Sequence, residues 1–199
     1  FDDDGTVTEA SGAPLVMDAS VTEDETTKSR IAEAAAPLDE IRNEIVAETA
    51  EEIVGARDVC RAMECSMGNL VADAMLDRVQ DQGIQIAIAN SGGLRASIDA
   101  GEVTMGEVLT VLPFQNTLST FQITGATLVE ALENGVSQME EGAGRFPQVA
   151  GMSFSVDPSA EPGSRISEVM VGGEPVDPEA TYGAVSNNYV RNGGDGYKM

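Results

Sequence analysis

The chain has 199 residues, 42% of them hydrophobic, which suits one domain with an appendage and provides enough apolar side chains for a core. It carries 34 acidic and 11 basic residues, a formal net charge of -23. Such a field repels phosphate backbones and anionic membranes, which argues against nonspecific nucleic-acid or membrane binding. An anionic substrate would have to meet locally clustered arginines. Two interpretations of the charge stay open: a salt-adapted or marine source, and an ordinary acidic extracellular protein.

The sequence contains no histidine and only two cysteines, Cys60 and Cys65. A Ser-His-Asp triad, a histidine-rich metal site or a four-thiolate zinc site therefore cannot be built from this chain alone. No run of about 18 apolar residues exists that would span a membrane. The chain begins with Phe1, not Met, and no signal-type segment precedes it. We interpret it as a piece of a longer protein.

The first part of the chain is predicted to connect domains. Residues 1–20 are typical of turn, short strand, turn and short strand, and we interpret them as the tail of a preceding domain. Residues 21–52 show a helical pattern in which Ile31, Leu38 and Ile45 recur every seven positions. Pro37 should kink or split this helix. A stiff linker is favoured over a coiled coil, because the repeat is short and contains a proline.

A compact domain is predicted from Val54 onward. Ser66 can cap a helix reaching about residue 80, with a buried side formed by Leu70, Val71, Ala74, Met75 and Val79. Capping boxes at 104–107 and 127–130 predict two further helices, the second ending near Gln138. Strands are predicted at 84–90, 117–125, 151–157 and 182–190, and a strand followed by a Gly-Gly turn is predicted at 166–176. The first alternates in residue type as a strand does, and Met152, Phe154 and Val156 share one face of the third. Because single helices alternate with hairpins, the order favours an α+β fold over a regular βαβ sheet.

Four short stretches combine turn glycines with polar or aromatic side chains. In "CRAMECSMGN", Cys60 and Cys65 bracket a loop holding Arg61; they can form a small disulfide loop outside the cytosol or be two unrelated buried cysteines. In "NSGGLR", glycines allow close approach of a ligand to Asn90 and Arg95, although the pattern is also an ordinary strand-to-turn signal. Phe114 in "LPFQNT" follows a proline, which fixes its local backbone, and a phenylalanine in that position is more often a core residue than a site residue. Asp195 in "GGDG" is typical of a turn, and the stretch lacks the repeated oxygen ligands of a calcium loop.

Taken together, "ECSMGNLVADAM", "NSGGLR", "LPF" and "NYVRNGGDGY" occur in an order and at separations that resemble the C-terminal domain of the 5′-nucleotidase family. That family includes bacterial periplasmic UDP-sugar hydrolases and animal ecto-5′-nucleotidases. The resemblance covers residues 54–199, and the segments 21–53 and 1–20 resemble the family's linker and the end of its metallophosphoesterase domain. It implies layered α/β/β/α mixed sheets with helices outside, and a periplasmic or extracellular location.

The resemblance also implies roles for individual residues. Phe114 and Tyr189 match two aromatic rings that hold the nucleobase between them, and Asp195 matches a carboxylate that accepts hydrogen bonds from the ribose. Arg61 and Arg95 match arginines that contact phosphate or sugar oxygens, Asn90 matches an amide near the base, and Tyr197 is assigned to packing. The second ring is commonly phenylalanine in the family, so the hydroxyl of Tyr189 could alter base preference.

The family's chemistry depends on two divalent metal ions held by histidines, aspartates and an asparagine in its N-terminal domain. Since this chain has no histidine, we expect it to bind the nucleoside or nucleotide, to act with its own N-terminal catalytic domain, and to be inactive alone. Two alternatives stay open. The chain could be a noncatalytic binding module on the same fold, or its parent could act on cyclic nucleotides, UDP-sugars or a sulfur ester.

Overall fold

The computed structural model describes residues 1–199 and divides into two units, Phe1–Glu40 and Ile41–Met199. The first unit has no strand. The strands predicted within residues 1–20 are therefore wrong, and hydrogen-bonded turns occupy part of this segment. Its helix begins after Asp24, whose carboxylate accepts from the Thr27 N–H at 2.7 Å, as an N-cap does. The helix continues through Pro37 and buries none of its residues.

The elements have the following bounds. The helices are α1 Glu25–Arg42, α2 Arg57–Cys60, α3 Ser66–Arg78, α4 Met105–Val111, α5 Gly125–Val136 and α6 Asn188–Arg191. The strands are β1 Ile45–Thr49, β2 Ile86–Asn90, β3 Gly101–Thr104, β4 Leu118–Thr124, β5 Pro147–Ala150, β6 Met152–Val156, β7 Ile166–Val171, β8 Glu174–Pro175 and β9 Thr181–Asn187. None of the helices combines the length and the apolar character needed to cross a bilayer.

A four-stranded mixed sheet in the order β4-β9-β2-β5 forms the centre of the second unit. Strand β2 runs parallel to β9 and antiparallel to β5, while β4 runs antiparallel to β9. All five residues of β2 are buried, and the strand predicted before "NSGGLR" is confirmed. Its isoleucines pack with α5 and β7 on one face, and its alanines pack with α3 on the other. Burial on both faces is expected for a central strand covered by helices.

Two smaller sheets complete this unit. Strand β7 lies between β6 and β8 in a three-stranded antiparallel sheet, and β1 pairs with β3. The predicted helix over 21–52 is therefore too long, because residues 45–49 form a strand whose partner lies about 55 positions further along the chain. The last strand ends at Asn187, where the predicted strand continued to 190; Asn187 instead caps α6. The mixture of helices, hairpins and mixed sheets confirms the predicted α+β class.

Three helix predictions are tested by the structure. The capping box at Thr104 and Glu107 is confirmed, with both reciprocal hydrogen bonds formed. Helix α5 begins three residues earlier than predicted, because Thr124 accepts from the Thr127 N–H and is the N-cap. Helix α3 is capped by the Cys65 sulfur, and the predicted burial of Leu70 and Ala74 is wrong. The helix meets the sheet through Ala72, Met75 and Val79, which leaves those two positions on its outer side.

Candidate functional site

A cavity of about 500 Å³ lies where β2 and β9 end. Because these two strands are parallel, the loops that follow them leave the same edge of the sheet, which is where ligands bind in open α/β sheets. Nine residues line the cavity: Arg61, Asn90, Gly92, Gly93, Phe114, Asn116, Gly144, Tyr189 and Asp195. Its volume is in the range of small-molecule sites. The four sequence stretches thus meet in one place, although they are separated by up to about 130 positions.

Five of the six predicted binding residues line this cavity, and Arg95 is the exception. The guanidinium carbon of Arg95 lies 5.6 Å from the centre of the Phe114 ring, over its face. This is the geometry of a cation–π contact, in which the positive charge meets the negative ring face. Arg95 therefore contacts one of the aromatic residues of the cavity and can fix its ring.

The two aromatic rings of the cavity are largely open to solvent. Phe114 is 56% exposed and Tyr189 is 46% exposed, so neither ring is a core side chain. Phe114 lies between Pro113 and Gln115, and Gln115 has a φ of 53°, a left-handed backbone conformation that is uncommon for a residue with a side chain. Large exposed rings lining a cavity are available to stack on a planar ligand.

Asp195 is the acceptor at the centre of the polar side of the cavity. Its carboxylate accepts at Oδ1 from the Tyr189 hydroxyl at 2.9 Å and at Oδ2 from the Asn90 amide at 2.8 Å. The hydrogen bond to this carboxylate is the main cause that raises the pKa of Tyr189 above its ordinary value, with burial adding to it. The phenol therefore stays protonated as a donor at neutral pH.

The amide of Asn90 is held in one orientation. Its Oδ1 accepts from Asn187 Nδ2 at 2.9 Å, while Asn187 Oδ1 accepts from the Val190 N–H at 2.8 Å and caps α6. Asn90 itself is buried. The resemblance placed Asn90 near a base, but in the structure it donates to Asp195, so one of its contributions is to orient that carboxylate.

Arg61 brings a positive charge to the other side of the cavity. It is only 8% exposed, its Nη1 donates to the Gly142 carbonyl at 3.1 Å, and its Nε has no hydrogen-bond partner. Burial lowers its pKa, and the charges of Arg57 and Arg95 lower it further, while Asp195 opposes them. An arginine stays charged at neutral pH even so. A charged guanidinium that lines a cavity is suited to an anionic ligand.

The loop that carries Arg61 is closed by a disulfide between Cys60 and Cys65, with an S–S distance of 2.09 Å. Gln148 fills the loop: its Nε2 donates to the carbonyls of Cys60 and Met63, and its Oε1 accepts from the Cys65 N–H. These three hydrogen bonds, at 2.8 to 3.2 Å, satisfy polar backbone groups that the loop would otherwise leave unpaired. The position of Arg61 is thus fixed by a covalent link and by a buried amide.

Sequence reasoning missed Gln148, Asn116, Asn187 and Asn134. Asn134 donates to the backbone carbonyl of Asp195 at 3.2 Å and accepts from Arg145. The missed glycine is Gly144, where a Cβ would lie 2.9 Å from the Gly92 Cα, so the two loops touch through their backbones. Asn116 lies within the stretch "LPFQNT" but was given no role, and Gln148, Asn134 and Gly144 lie outside the four stretches. Only the Asn187 side chain carried a local signal, as a cap residue before a helical turn.

The comparisons with known proteins agree with this fold. Residues 45–199 match the family described as "5'-nucleotidase, C-terminal domain". The chain is 40% identical to the trifunctional nucleotide phosphoesterase protein YfkN of Bacillus subtilis and covers 14% of that protein. It is 33% identical to the snake venom 5'-nucleotidase of Naja atra and covers 41% of it. Both alignments span the whole of this chain.

A solved structure is similar in the same way. The 5'-nucleotidase precursor from Thermus thermophilus superposes with a TM-score of 0.83 at 45% sequence identity, over 88% of this chain and 35% of that one. This chain therefore belongs to the 5'-nucleotidase C-terminal domain family, which confirms the resemblance drawn from the four motifs. It spans less than half of the length of each of these three relatives.

Proposed function

We propose that this chain is the substrate-recognition domain of a secreted 5′-nucleotidase-type phosphohydrolase, and that it binds the nucleoside part of the substrate in the cavity at the ends of β2 and β9. The observation that carries the proposal is the cavity itself, which combines two exposed rings, a fixed carboxylate and a largely buried guanidinium. Membership of the family supports it. These groups match the three parts of a nucleotide: a planar base, a sugar diol and an anion.

Each group has a physical task in this proposal. A base stacks between Phe114 and Tyr189, since every base has an apolar π-face. Asp195 accepts hydrogen bonds from the ribose hydroxyls. Arg61, with Arg95 nearby, meets the phosphate, and forked guanidinium donors suit its oxygens. The exposed side chain of Asn116 also faces the cavity and is free to contact the base edge.

The metal ions of the reaction are proposed to lie outside this chain. Its residues do not fit a two-metal centre, because it has no histidine and no group of three or more cysteine, aspartate or glutamate side chains that could hold an ion. When bound, two divalent ions would supply activation of water and of the phosphoryl group. The task of this chain is to hold the nucleotide in position for that chemistry, in partnership with a catalytic domain of the same protein.

The pairing of β1 with β3 supports the domain boundaries that we propose. We place the start of the recognition domain at β1, because β1 pairs with β3, and assign α1 to a linker and residues 1–20 to the tail of a preceding domain. The proposed location is periplasmic or extracellular. The Cys60–Cys65 disulfide supports it, since such links persist in oxidising compartments, and so does the similarity to a snake venom protein.

The proposal is tested by calorimetric titration of the chain and of Asp195→Ala with adenosine and with adenine. We expect the unmodified chain to bind both, and the substitution to weaken adenosine about tenfold while leaving adenine nearly unaffected, because only the riboside offers hydroxyls to the carboxylate. Asp157→Ala, an exposed aspartate remote from the cavity, is the control and should bind as the unmodified chain does. Absence of binding by the unmodified chain would favour a noncatalytic interaction module instead.

A further inference from the structure

Tyr189 and Asp195 are joined by a closed pair of hydrogen bonds. The Tyr189 hydroxyl donates to Asp195 Oδ1 at 2.9 Å and accepts from the Asp195 backbone N–H at 3.3 Å. The two residues are six positions apart and lie on either side of the Gly193–Gly194 turn. One side chain therefore holds both the backbone and the carboxylate of the other.

The backbone of Asp195 needs such support. Its φ of 55° and ψ of 19° place it in the left-handed region, which residues with a side chain rarely adopt. Asn134 holds the Asp195 carbonyl from a second side. A Cβ at Gly194 would lie 2.5 Å from the Tyr189 ring, so the ring packs directly on the turn. The turn is thus shaped around the tyrosine side chain.

The second carboxylate oxygen is held by a different element. Asn90, at the end of β2, donates to Oδ2 at 2.8 Å, and Asn187 fixes the amide of Asn90 in turn. Each carboxylate oxygen has one protein donor and retains a lone pair for another. With donors on both oxygens, the carboxylate plane cannot rotate freely about its Cβ–Cγ bond.

We propose that the Tyr189 hydroxyl is a positioning group that presets the Asp195 carboxylate for the two hydroxyls of a ribose, and so makes the site selective for ribonucleosides over deoxyribonucleosides. The inference rests on the proposed function. A vicinal diol presents two O–H donors, one for each oxygen of a fixed carboxylate, whereas a deoxyribose presents one. Presetting the acceptor lowers the ordering cost of binding, and this gain is realised in full only by the diol. Phenylalanine at 189 would keep the stacking ring and lose this effect.

The test is calorimetric titration of the 199-residue chain, Tyr189→Phe and Tyr182→Phe with adenosine, 2′-deoxyadenosine and adenine. Tyr189→Phe should weaken adenosine binding about three- to tenfold and change the affinity for adenine by no more than about twofold. It should also reduce the preference for adenosine over 2′-deoxyadenosine. Tyr182→Phe is the matched control, because its hydroxyl accepts from the Asp177 N–H and does not line the cavity. It should leave all three affinities unchanged.

A second variant keeps the test independent of any effect on folding. Asp195→Asn preserves the shape of the side chain and removes the charge that both donors meet. It should reproduce the loss of ribose selectivity. In the Asp195→Asn background, adding Tyr189→Phe should reduce adenosine affinity by a smaller factor than Tyr189→Phe does in the unmodified chain, since the hydroxyl would have no carboxylate to position.

Three results would overturn the inference while the proposed function stands. If Tyr189→Phe reduced the affinities for adenosine and adenine equally, its effect would come from the stacking ring alone. Tighter adenosine binding by Tyr189→Phe would show that the hydroxyl competes with the ribose. Unchanged affinities would show that it has no part in recognition. Failure of the unmodified chain to bind any of the three ligands would overturn the proposed function and this inference together.

Discussion

At the scale of single residues, Tyr197 shows how the last segment of the chain is anchored. Its ring is fully buried, and its hydroxyl donates to the Arg145 carbonyl at 2.7 Å, 52 positions away. Burial raises the pKa of the phenol above its ordinary value of 10, because the phenolate would lose its hydration. Tyr197 therefore packs, as the resemblance implied, and joins the turn of Asp195 to the loop of Gly144.

This anchoring predicts a loss of stability in alkaline solution. Because the folded pKa is raised, the folded state keeps a proton that the unfolded chain releases above pH 10, so stability is intact below pH 10 and falls as the pH rises beyond it. The extra slope from one such group approaches about 1.4 kcal/mol per pH unit. Urea unfolding between about pH 8 and pH 11 should show this slope, and Tyr197→Phe should remove most of it.

The control for this measurement is Tyr182→Phe, since Tyr182 is only partly buried. It should leave the slope unchanged. A free energy of unfolding that falls equally steeply in Tyr197→Phe would mean that another group is responsible for the alkaline loss.

Six candidate binding residues could be identified from sequence through the resemblance to the 5′-nucleotidase family, and five of them line the cavity. The residues that hold them could not be identified in this way. Gln148 and Asn134 reach their partners across 61 to 88 positions, and only the fold brings them together. An isolated amide in a helix or strand has no local feature that predicts such a partner.

At the scale of elements, local capping signals were informative but ambiguous by one helical turn. Both Thr124 and Thr127 precede an apolar run, and the sequence favoured Thr127 as the cap. In the structure Thr124 is the N-cap of α5, and the Cβ-free Gly125 follows because a side chain there would lie 2.1 Å from the Asp177 carbonyl. The tertiary contact decided where the helix begins.

This assignment predicts unequal effects of two threonine substitutions. Thr124→Ala should lower the free energy of unfolding by about 1 kcal/mol, since it removes the acceptor of the Thr127 N–H at the helix start. Thr127→Ala should lower the free energy of unfolding by less, because the Thr127 hydroxyl contacts only the Thr124 hydroxyl. Urea denaturation of both variants compares them directly. A larger loss for Thr127→Ala would restore the capping box predicted at residue 127.

Strand β2 shows what an alternation of residue size indicates. Its isoleucines and alanines alternate, and both residue types are buried. The alanines allow α3 to approach closely, and the isoleucines fill the space below α5 and β7. Alternation by size, not by polarity, indicates a strand with two covered faces.

At the scale of the whole molecule, the net charge of -23 opposes any anionic ligand. The candidate site has a local positive charge that offsets this field, since Arg57 and Arg95 lie close enough to Arg61 for their charges to lower its pKa. Acidity elsewhere keeps the surface soluble and repels polyanions, while the cavity keeps its positive side. The overall charge therefore does not argue against a nucleotide ligand at this position.

The central claim is that a nucleobase lies between Phe114 and Tyr189, and titration of adenosine into the chain, Phe114→Ala and Phe154→Ala tests it most directly. Phe154, partly exposed on β6 outside the cavity, is the control. Stacking predicts that Phe114→Ala weakens adenosine roughly 5- to 150-fold, with a thermal midpoint close to that of the unmodified chain and with Phe154→Ala binding normally. Unchanged adenosine affinity in Phe114→Ala, together with a marked loss of thermal stability, would contradict the account and assign Phe114 to the core.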